Sequence, residues 1–96
     1  MEQNFIELKF DKLTTNLAGN KLGRNVYQKQ AKDLMDFSKK NTFILSDNIE
    51  DVAMSFIQGF CYEVVELYGK DKARMLIDIQ SNKKDIVNKF RSTILL

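Results

Sequence analysis

The chain contains no histidine, and this absence excludes many kinds of chemistry. Histidine is the commonest general acid or base in enzymes and the commonest transition-metal ligand. The chain also has only four glycines and no phosphate-binding loop of the GxxxxGK or GxGxxG type. We therefore expect a protein that is not an enzyme, with no catalytic residues, no cofactor and no metal site.

Cysteine and long apolar runs are equally scarce. The single cysteine, Cys61, stands among Phe60, Val64 and Val65, which fits a buried, reduced thiol that packs as a small hydrophobic side chain. No apolar run approaches the roughly 20 residues needed to cross a bilayer, and the N-terminal residues lack the pattern of a signal peptide. We expect a cytoplasmic protein that makes no membrane contact.

The chain has no proline, no internal repeat and no low-complexity segment that would mark a domain boundary. Its 96 residues, 44% hydrophobic and 29% charged, suit one globular domain over residues 1–96. A chain this short buries a smaller share of its surface than a large domain does. A homodimer or a standing protein partner is therefore compatible with the sequence.

Short apolar segments alternate with amphipathic ones along the chain. The predicted strands are residues 5–10, in which Ile6, Leu8 and Phe10 share the buried face, residues 42–45 and residues 74–79, with a short extra strand near Leu17. The predicted helices are residues 25–38, residues 51–68 and a C-terminal helix with the stripe Ile86, Val87, Phe90 and Ile94. This order predicts an α/β fold, a small sheet of three to four mostly parallel strands covered by three helices.

The second predicted helix has two distinct faces. Its apolar face contains Val52, Ala53, Phe56, Ile57, Phe60, Val64, Leu67 and Tyr68. Its opposite face contains Ser55, Gln58, Gly59, Tyr62 and Glu66. We expect this second face to be exposed, and we predict that it binds a partner protein together with Asp47, Glu50 and Asp51 in the preceding turn.

Polar residues beside the predicted helices fit capping roles. Asp47, Glu50 and Asp51 form an acidic cluster that lacks an EF-hand pattern, and a carboxylate that caps the second helix explains it better than a cation site. Asp47 or Asp51 is the expected cap of that helix. Asn41 is expected to cap the end of the first helix, and Ser81 or Asn82 the start of the third.

Charge is segregated along the sequence. Residues 45–67 carry a net charge of −5 and residues 70–96 a net charge of +4, while the whole chain carries +2. This segregation suits self-association, or docking to a protein of complementary charge. Nucleic acid is not an expected partner, because the chain is only weakly basic and basic residues flank an aromatic only once in its last third, at residues 89–91.

Three segments together resemble a known family: LGRNVYQKQAKDLM near the first helix, FILSDNIEDVAMSFIQGF at the centre and ARMLIDIQSNKKDIVNKF near the end. They resemble the STAS-like domains of uncharacterised function, which are related in fold to bacterial anti-sigma factor antagonists. The resemblance implies a bacterial regulatory protein, and partners in the wider family are ATPases of the histidine-kinase-like type. It spans residues 5–94.

The sequence departs from this pattern at two positions. Leu45 stands where the central strand of the family usually ends in aspartate. In the antagonists a phosphorylated serine follows an aspartate, and at those two positions this chain has Met54 and Ala53, with Ser55 one residue later. One residue turns a helix by about 100°, which argues against Ser55 as a phosphorylation site.

The sequence is consistent with three functions. The leading hypothesis is a non-catalytic regulatory or adaptor module that acts by protein–protein interaction, with a histidine-kinase-like ATPase as the partner that the resemblance suggests. The alternative is an inhibitor protein of a phage or mobile element that binds a host protein. An enzyme that uses Asp or Lys chemistry is the third, and the missing histidine and glycine-rich loop argue against it.

Overall fold

Parallel strands and helices alternate in the computed structural model, which describes residues 2–95. The strands are β1 (Gln3–Glu7), β2 (Asn16–Leu17), β3 (Lys40–Ile44), β4 (Asp51–Val52) and β5 (Ile77–Gln80). The helices are α1 (Asn20–Val26), α2 (Met54–Tyr68), α3 (Lys70–Leu76) and α4 (Lys84–Leu95). Across residues 2–95, none of these helices has the length and apolarity needed to cross a bilayer.

The main sheet has the strand order β1-β3-β5, and both strand pairs are parallel. Ile6, Phe43 and Ile79 are aligned across it and are buried, and the Phe43 ring packs edge-on against Phe60 of α2. Both crossovers step in the same direction, so right-handed connections place α1 and α2 on one face of the sheet. The predicted α/β fold with a small parallel sheet is confirmed.

The predicted buried positions of β1 and α4 are found where the periodicity placed them. Ile6 and Leu8 are buried on one side of the first strand, and Phe5 on the other side is exposed. The stripe along α4 is buried at Ile86 and Phe90. Alternation with a period of two and spacing of three to four residues therefore located both elements. The bounds differ, because β1 is Gln3–Glu7 and not residues 5–10, and Phe10 and Val87 are only partly buried.

A second, two-stranded sheet joins the segment before α1 to the segment before α2. Asn16 pairs with Asp51 and Leu17 with Val52, in parallel. The backbone N–H of Ala53 also donates to the carbonyl of Leu17 (2.7 Å). Because this pairing holds residues 51–53 extended, α2 begins at Met54 rather than near Asp51 as predicted.

Helices α1 and α2 cross in close backbone contact at Gly23 and Gly59. A Cβ atom built on Gly23 would lie 2.7 Å from the backbone nitrogen of Phe60 and closer still to the carbonyl oxygen of Phe56. A Cβ atom built on Gly59 would likewise overlap the backbone of Asn20. Real Cβ atoms are not found this close to backbone atoms, so only glycine at both positions permits the crossing.

The third predicted strand begins later than expected. Residues 74–76 belong to α3, which continues directly into β5 with no residue between them. Ala73 and Leu76 are buried three residues apart, while Met75 between them is 69% exposed. That pattern is helical, so the prediction of a strand from Arg74 was wrong.

The first predicted helix begins earlier and ends sooner than predicted. It starts at Asn20, continues through a π-helical turn (Tyr27–Ala31) and a 3-10 turn (Lys32–Leu34), and is followed by an extended Met35. The C-terminal turn of α2 is more exposed than predicted, because the residues of this helix that pack in the hydrophobic core end near Val65. Leu67, predicted on the apolar face, is 67% exposed.

Asn41 is a buried residue of β3 and not a helix cap. Its amide nitrogen lies within hydrogen-bond distance of the carbonyl oxygens of Asp36 (2.9 Å), Lys39 (3.0 Å) and Leu76 (3.1 Å). Its amide oxygen accepts hydrogen bonds from Asn4 Nδ2 (2.8 Å) and from the backbone N–H of Asp36 (2.9 Å). One side chain thus links β1, the turn before β3 and the end of α3.

We predict that Gly59→Ala lowers the free energy of unfolding by about 2 kcal/mol, the usual range of overpacking. Alanine favours helix over glycine by up to ~1 kcal/mol, but the new methyl group would displace the backbone of α1. Urea unfolding measures the effect. The neighbouring exposed substitution Gln58→Ala should change stability by less than about 0.5 kcal/mol. A Gly59→Ala protein as stable as the wild type would show that the two backbones are not in contact.

We predict that Asn41→Asp destabilises the protein by about 3–5 kcal/mol at pH 7, because it replaces an amide donor by a buried carboxylate that faces three carbonyl oxygens. Asn88→Asp is the matched control, since Asn88 is exposed on α4. Thermal or urea unfolding of both variants measures the difference. Equal stability of the two variants would contradict a central role for the Asn41 amide.

Candidate functional site

An exposed line of side chains runs along α2 and is called here the α2 ridge. It consists of Ser55, Gln58, Tyr62 and Glu66, all exposed and spaced by three or four residues. Helix α1 packs along one side of α2, and helix α4 packs on α2 as well. The ridge is therefore presented on a rigid, well-supported helix.

One residue of the predicted face is not on the ridge. Gly59 was expected to be exposed beside Ser55 and Tyr62, but it is buried against Asn20 of α1. The prediction was wrong because helical periodicity describes one helix at a time. The position of a neighbouring helix is a non-local property that the period does not contain.

Ser55 lies at the start of the ridge and has a structural partner. Its Oγ accepts a hydrogen bond from the backbone N–H of Gly19 (3.0 Å), the residue immediately before α1. The side chain therefore joins the beginnings of α1 and α2. This bond and the backbone bond from Ala53 to Leu17 act on the same junction.

Tyr62 is the aromatic centre of the ridge and is 43% exposed. The guanidinium carbon of Arg24, on α1, lies 3.8 Å from the centroid of its ring. Such stacking is a cation–π contact, which fixes both side chains in one orientation. Arg24 was not among the residues predicted for this site, because no spacing within the sequence indicates that it meets Tyr62.

Glu63 of α2 contacts the π-helical and 3-10 turns that follow α1. Glu63 accepts hydrogen bonds from Gln28 Nε2 (2.7 Å) and Lys32 Nζ (2.9 Å). Tyr27 is buried beneath them, and burial, followed by the charge of Glu63, raises the pKa of its hydroxyl to about 12. Tyr27 therefore stays protonated at neutral pH.

The acidic turn before α2 contacts α4. Asp51 accepts a hydrogen bond from Lys89 Nζ (2.9 Å) and another from the backbone N–H of Val52. These two hydrogen bonds, chiefly that from Lys89, hold the pKa of the Asp51 carboxyl below its usual range. The backbone carbonyl of Asp47 accepts one from Lys83 Nζ (3.0 Å), while Glu50 is exposed. Part of the charge segregation seen in the sequence is thus satisfied within the chain.

Neither proposed acidic residue caps α2. Its N-cap is Ala53, and no side-chain hydrogen bond caps that end. The prediction failed because Asp51 belongs to β4 and is held there by its pairing with Asn16.

Across residues 2–95 no group of three or more acidic, cysteine or histidine side chains is arranged to hold a metal ion. Near α4, Ser81 Oγ accepts from the N–H of Lys83, one residue before the helix begins.

A groove of about 260 Å³ lies between α2 and α4 beside the ridge. Its floor is apolar and includes Ile57, Cys61 and Ile94, and Tyr62 lies on its lining. Cys61 is buried as predicted, and burial raises the pKa of its thiol to about 12. The thiol is therefore protonated at neutral pH, which removes its nucleophilic character.

A second polar cluster lies on β5, away from the ridge. Asp78 is only 8% exposed and accepts two hydrogen bonds from Arg91 (2.9 and 3.1 Å), with Lys40 Nζ 3.4 Å away. Burial by itself raises the pKa of Asp78. The hydrogen bonds from Arg91 and Ile79, with the charges of Arg91 and Lys40, outweigh burial and hold that pKa below its usual range.

Comparisons of this chain with protein-family models, with curated proteins and with solved structures found no match. The geometry of the ridge and its neighbours therefore carries the functional interpretation.

We predict that Arg91→Met lowers the free energy of unfolding by about 1–2 kcal/mol at pH 7, because it removes two hydrogen bonds from a largely buried carboxylate. The folded state depresses the pKa of Asp78, so its stabilisation is present above the unfolded value of about 3.9 and is lost as the pH falls through the folded value. The difference between variant and wild type should shrink below pH ~4.

Urea unfolding at neutral and at acidic pH measures this difference. Arg74→Met is the matched control, because Arg74 forms an ion pair with Asp71, whose side chain is fully exposed. This variant should change stability by less than about 0.5 kcal/mol. If the Arg91→Met difference were the same at both pH values, Arg91 would act through packing and not through its charge.

Proposed function

We propose that this chain is a non-catalytic regulatory or adaptor module that binds another protein through the α2 ridge. The observation that carries the proposal is the exposed Tyr62, held by Arg24 at the centre of the ridge and next to an apolar groove. Tyrosine and arginine are among the residues most enriched at the energetic centres of protein interfaces. A nearby apolar groove provides surface that a partner can bury.

The ridge is preorganised for binding. Tyr62 is on a helix of 15 residues, and its ring is already stacked against Arg24. A side chain that is fixed before binding loses little conformational entropy when a partner docks. The contact between Gly23 and Gly59 supports this arrangement, since it keeps α1 close enough for Arg24 to reach the ring.

Two observations on the ridge and groove favour binding over catalysis. Ser55 accepts a hydrogen bond from Gly19, whereas a serine nucleophile needs a base that takes its proton. Cys61 is buried and has a raised pKa, which opposes thiolate formation. Both side chains are explained by packing and by helix positioning.

The resemblance to STAS-like domains suggests the class of partner. We propose an ATPase of the histidine-kinase-like type, and the acidic residues Asp47, Glu50 and Asp51 as a rim that adjusts the rate of encounter. All three residues are exposed. A host protein targeted by a phage or mobile-element inhibitor is the alternative, and the identity of the bound protein distinguishes the two.

We predict that a ridge variant loses its partner while remaining folded. Three baits are compared by quantitative affinity purification from the source cells, followed by binding measurements with the purified partner. They are the wild type, the ridge variant Gln58→Ala/Tyr62→Ala/Glu66→Ala, and the control variant Lys84→Ala/Asn88→Ala/Ser92→Ala.

The control variant alters exposed positions with the same helical spacing on α4. Loss of Tyr62 and its neighbours should weaken binding by roughly 30-fold or more, as expected for a central aromatic residue, and the control should bind like the wild type. A partner that binds the ridge variant as tightly as the wild type would refute the proposed surface. Ser55 is left unchanged because it positions Gly19.

A further inference from the structure

One face of the main sheet, called here the open face, exposes Phe5, Glu7 and Gln80. Helices α1 and α2 lie on the opposite face, and α4 touches β5 at its edge through Arg91. The middle row of this face is Phe5–Thr42–Asp78, followed by the row Glu7–Ile44–Gln80. Thr42 (6% exposed) contacts Gln3, and Asp78 (8% exposed) contacts Arg91, so the most exposed part of the face lies along β1. Phe5 is 57% exposed in this position.

An open face is unusual for a parallel sheet. Such sheets are almost always covered on both faces, because their crossover connections and partners pack on each side. Here Phe5 and the half-buried Ile44 form an apolar centre, and Glu7 and Gln80 beside them are exposed. A further layer that packs on this face would remove the exposed aromatic surface from water.

We propose that a second copy of this chain covers the open face. The face is self-complementary in charge along the strand direction. Glu7 stands at the carboxyl end of β1, while Lys40 and Arg91 surround Asp78 towards the amino end and leave that end with one net positive charge. A two-fold arrangement that reverses the strands would bring each acidic end over a basic end.

The register defines this arrangement more closely. With the two-fold axis across the strands above the row Phe5–Thr42–Asp78, Phe5 of one copy faces Phe5 of the other. Glu7 aligns with Ile44, and Gln3 with Lys40, at equal distances on either side of that row. Each Glu7 then lies one strand spacing, about 4.8 Å, to the side of Lys40 in the other copy, within reach of a lysine side chain.

The size of the face sets the expected strength. Three strands of four to five residues cover roughly 250 Å² in projection, well below the roughly 800 Å² that each partner contributes to a standard interface. We therefore expect a weak, concentration-dependent dimer. The α2 ridge lies on the other side of the sheet, so this proposal and the proposed function succeed or fail separately.

Sedimentation equilibrium between about 10 µM and about 1 mM tests the proposal over the range in which so small an interface dissociates. The average mass of the wild type should rise towards twice the monomer mass. Phe5→Asp should remain monomeric throughout. Leu67→Asp is the matched control, because Leu67 is also an exposed apolar residue (67%, against 57% for Phe5) but lies on α2, and it should dimerise like the wild type.

A charge exchange tests the register. Glu7→Lys and Lys40→Glu should each be monomeric alone, because like charges then meet twice across the axis, whereas an equimolar mixture should dimerise through two restored pairs. Lys40→Glu removes the ion pair with Asp78 and could unfold the protein, which circular dichroism would show. Phe5→Asp and Glu7→Lys alter exposed side chains, so these two variants decide the outcome in that case. A wild type that is monomeric at the highest concentration, or a Phe5→Asp variant that dimerises normally, would overturn the proposal.

Discussion

The close crossing of α1 and α2 determines the geometry of the exposed side of the molecule. It depends on the absence of a Cβ atom at Gly23 and Gly59, which lets the two backbones touch. At this separation Gly19 can donate to Ser55, and Arg24 can stack on Tyr62. A wider crossing would release both contacts, and the α2 ridge would lose its rigid support.

The sequence predicted the elements whose signal is local. Alternation identified β1 with Ile6 and Leu8 buried, and helical spacing identified α4 with Ile86 and Phe90 buried. The fold class followed from the order of such segments. Exposure of Tyr62 followed in the same way, because it depends mainly on the period of a single amphipathic helix.

The sequence did not predict features that depend on contacts between distant segments. Asn41 has the residue type of a helix cap, yet its side chain binds Asn4 and the carbonyl of Leu76 from across the sheet. Gly59 has the period of an exposed residue and is covered by α1. Asp51 has the residue type of a cap, but strand pairing assigns it to β4. In each case tertiary structure overrides a local preference.

The distribution of charge also shows the difference between a sequence pattern and the contacts within the folded chain. The acidic centre and basic end of the sequence suggested an interaction with another molecule. The structure pairs Asp51 with Lys89 within the chain, whereas Lys83 donates to the backbone carbonyl of Asp47 and not to its carboxylate. The surface that remains for a partner therefore includes the exposed Asp47 and Glu50 as well as the α2 ridge. If two copies associate through the open face, their ridges point in opposite directions, so the dimer would bind one partner molecule on each side.

The direct passage from α3 into β5 constrains how this chain can vary in length. No residue separates Leu76 from Ile77, so the last turn of the helix sets the phase of the strand that follows. Inserting or deleting one residue there would exchange the two sides of β5, placing Asp78 in the apolar interior and Ile79 on the side of Arg91 and Lys40. Natural insertions should therefore accumulate in the segment between β1 and β2, where residues 11–13 are exposed, and not at this junction.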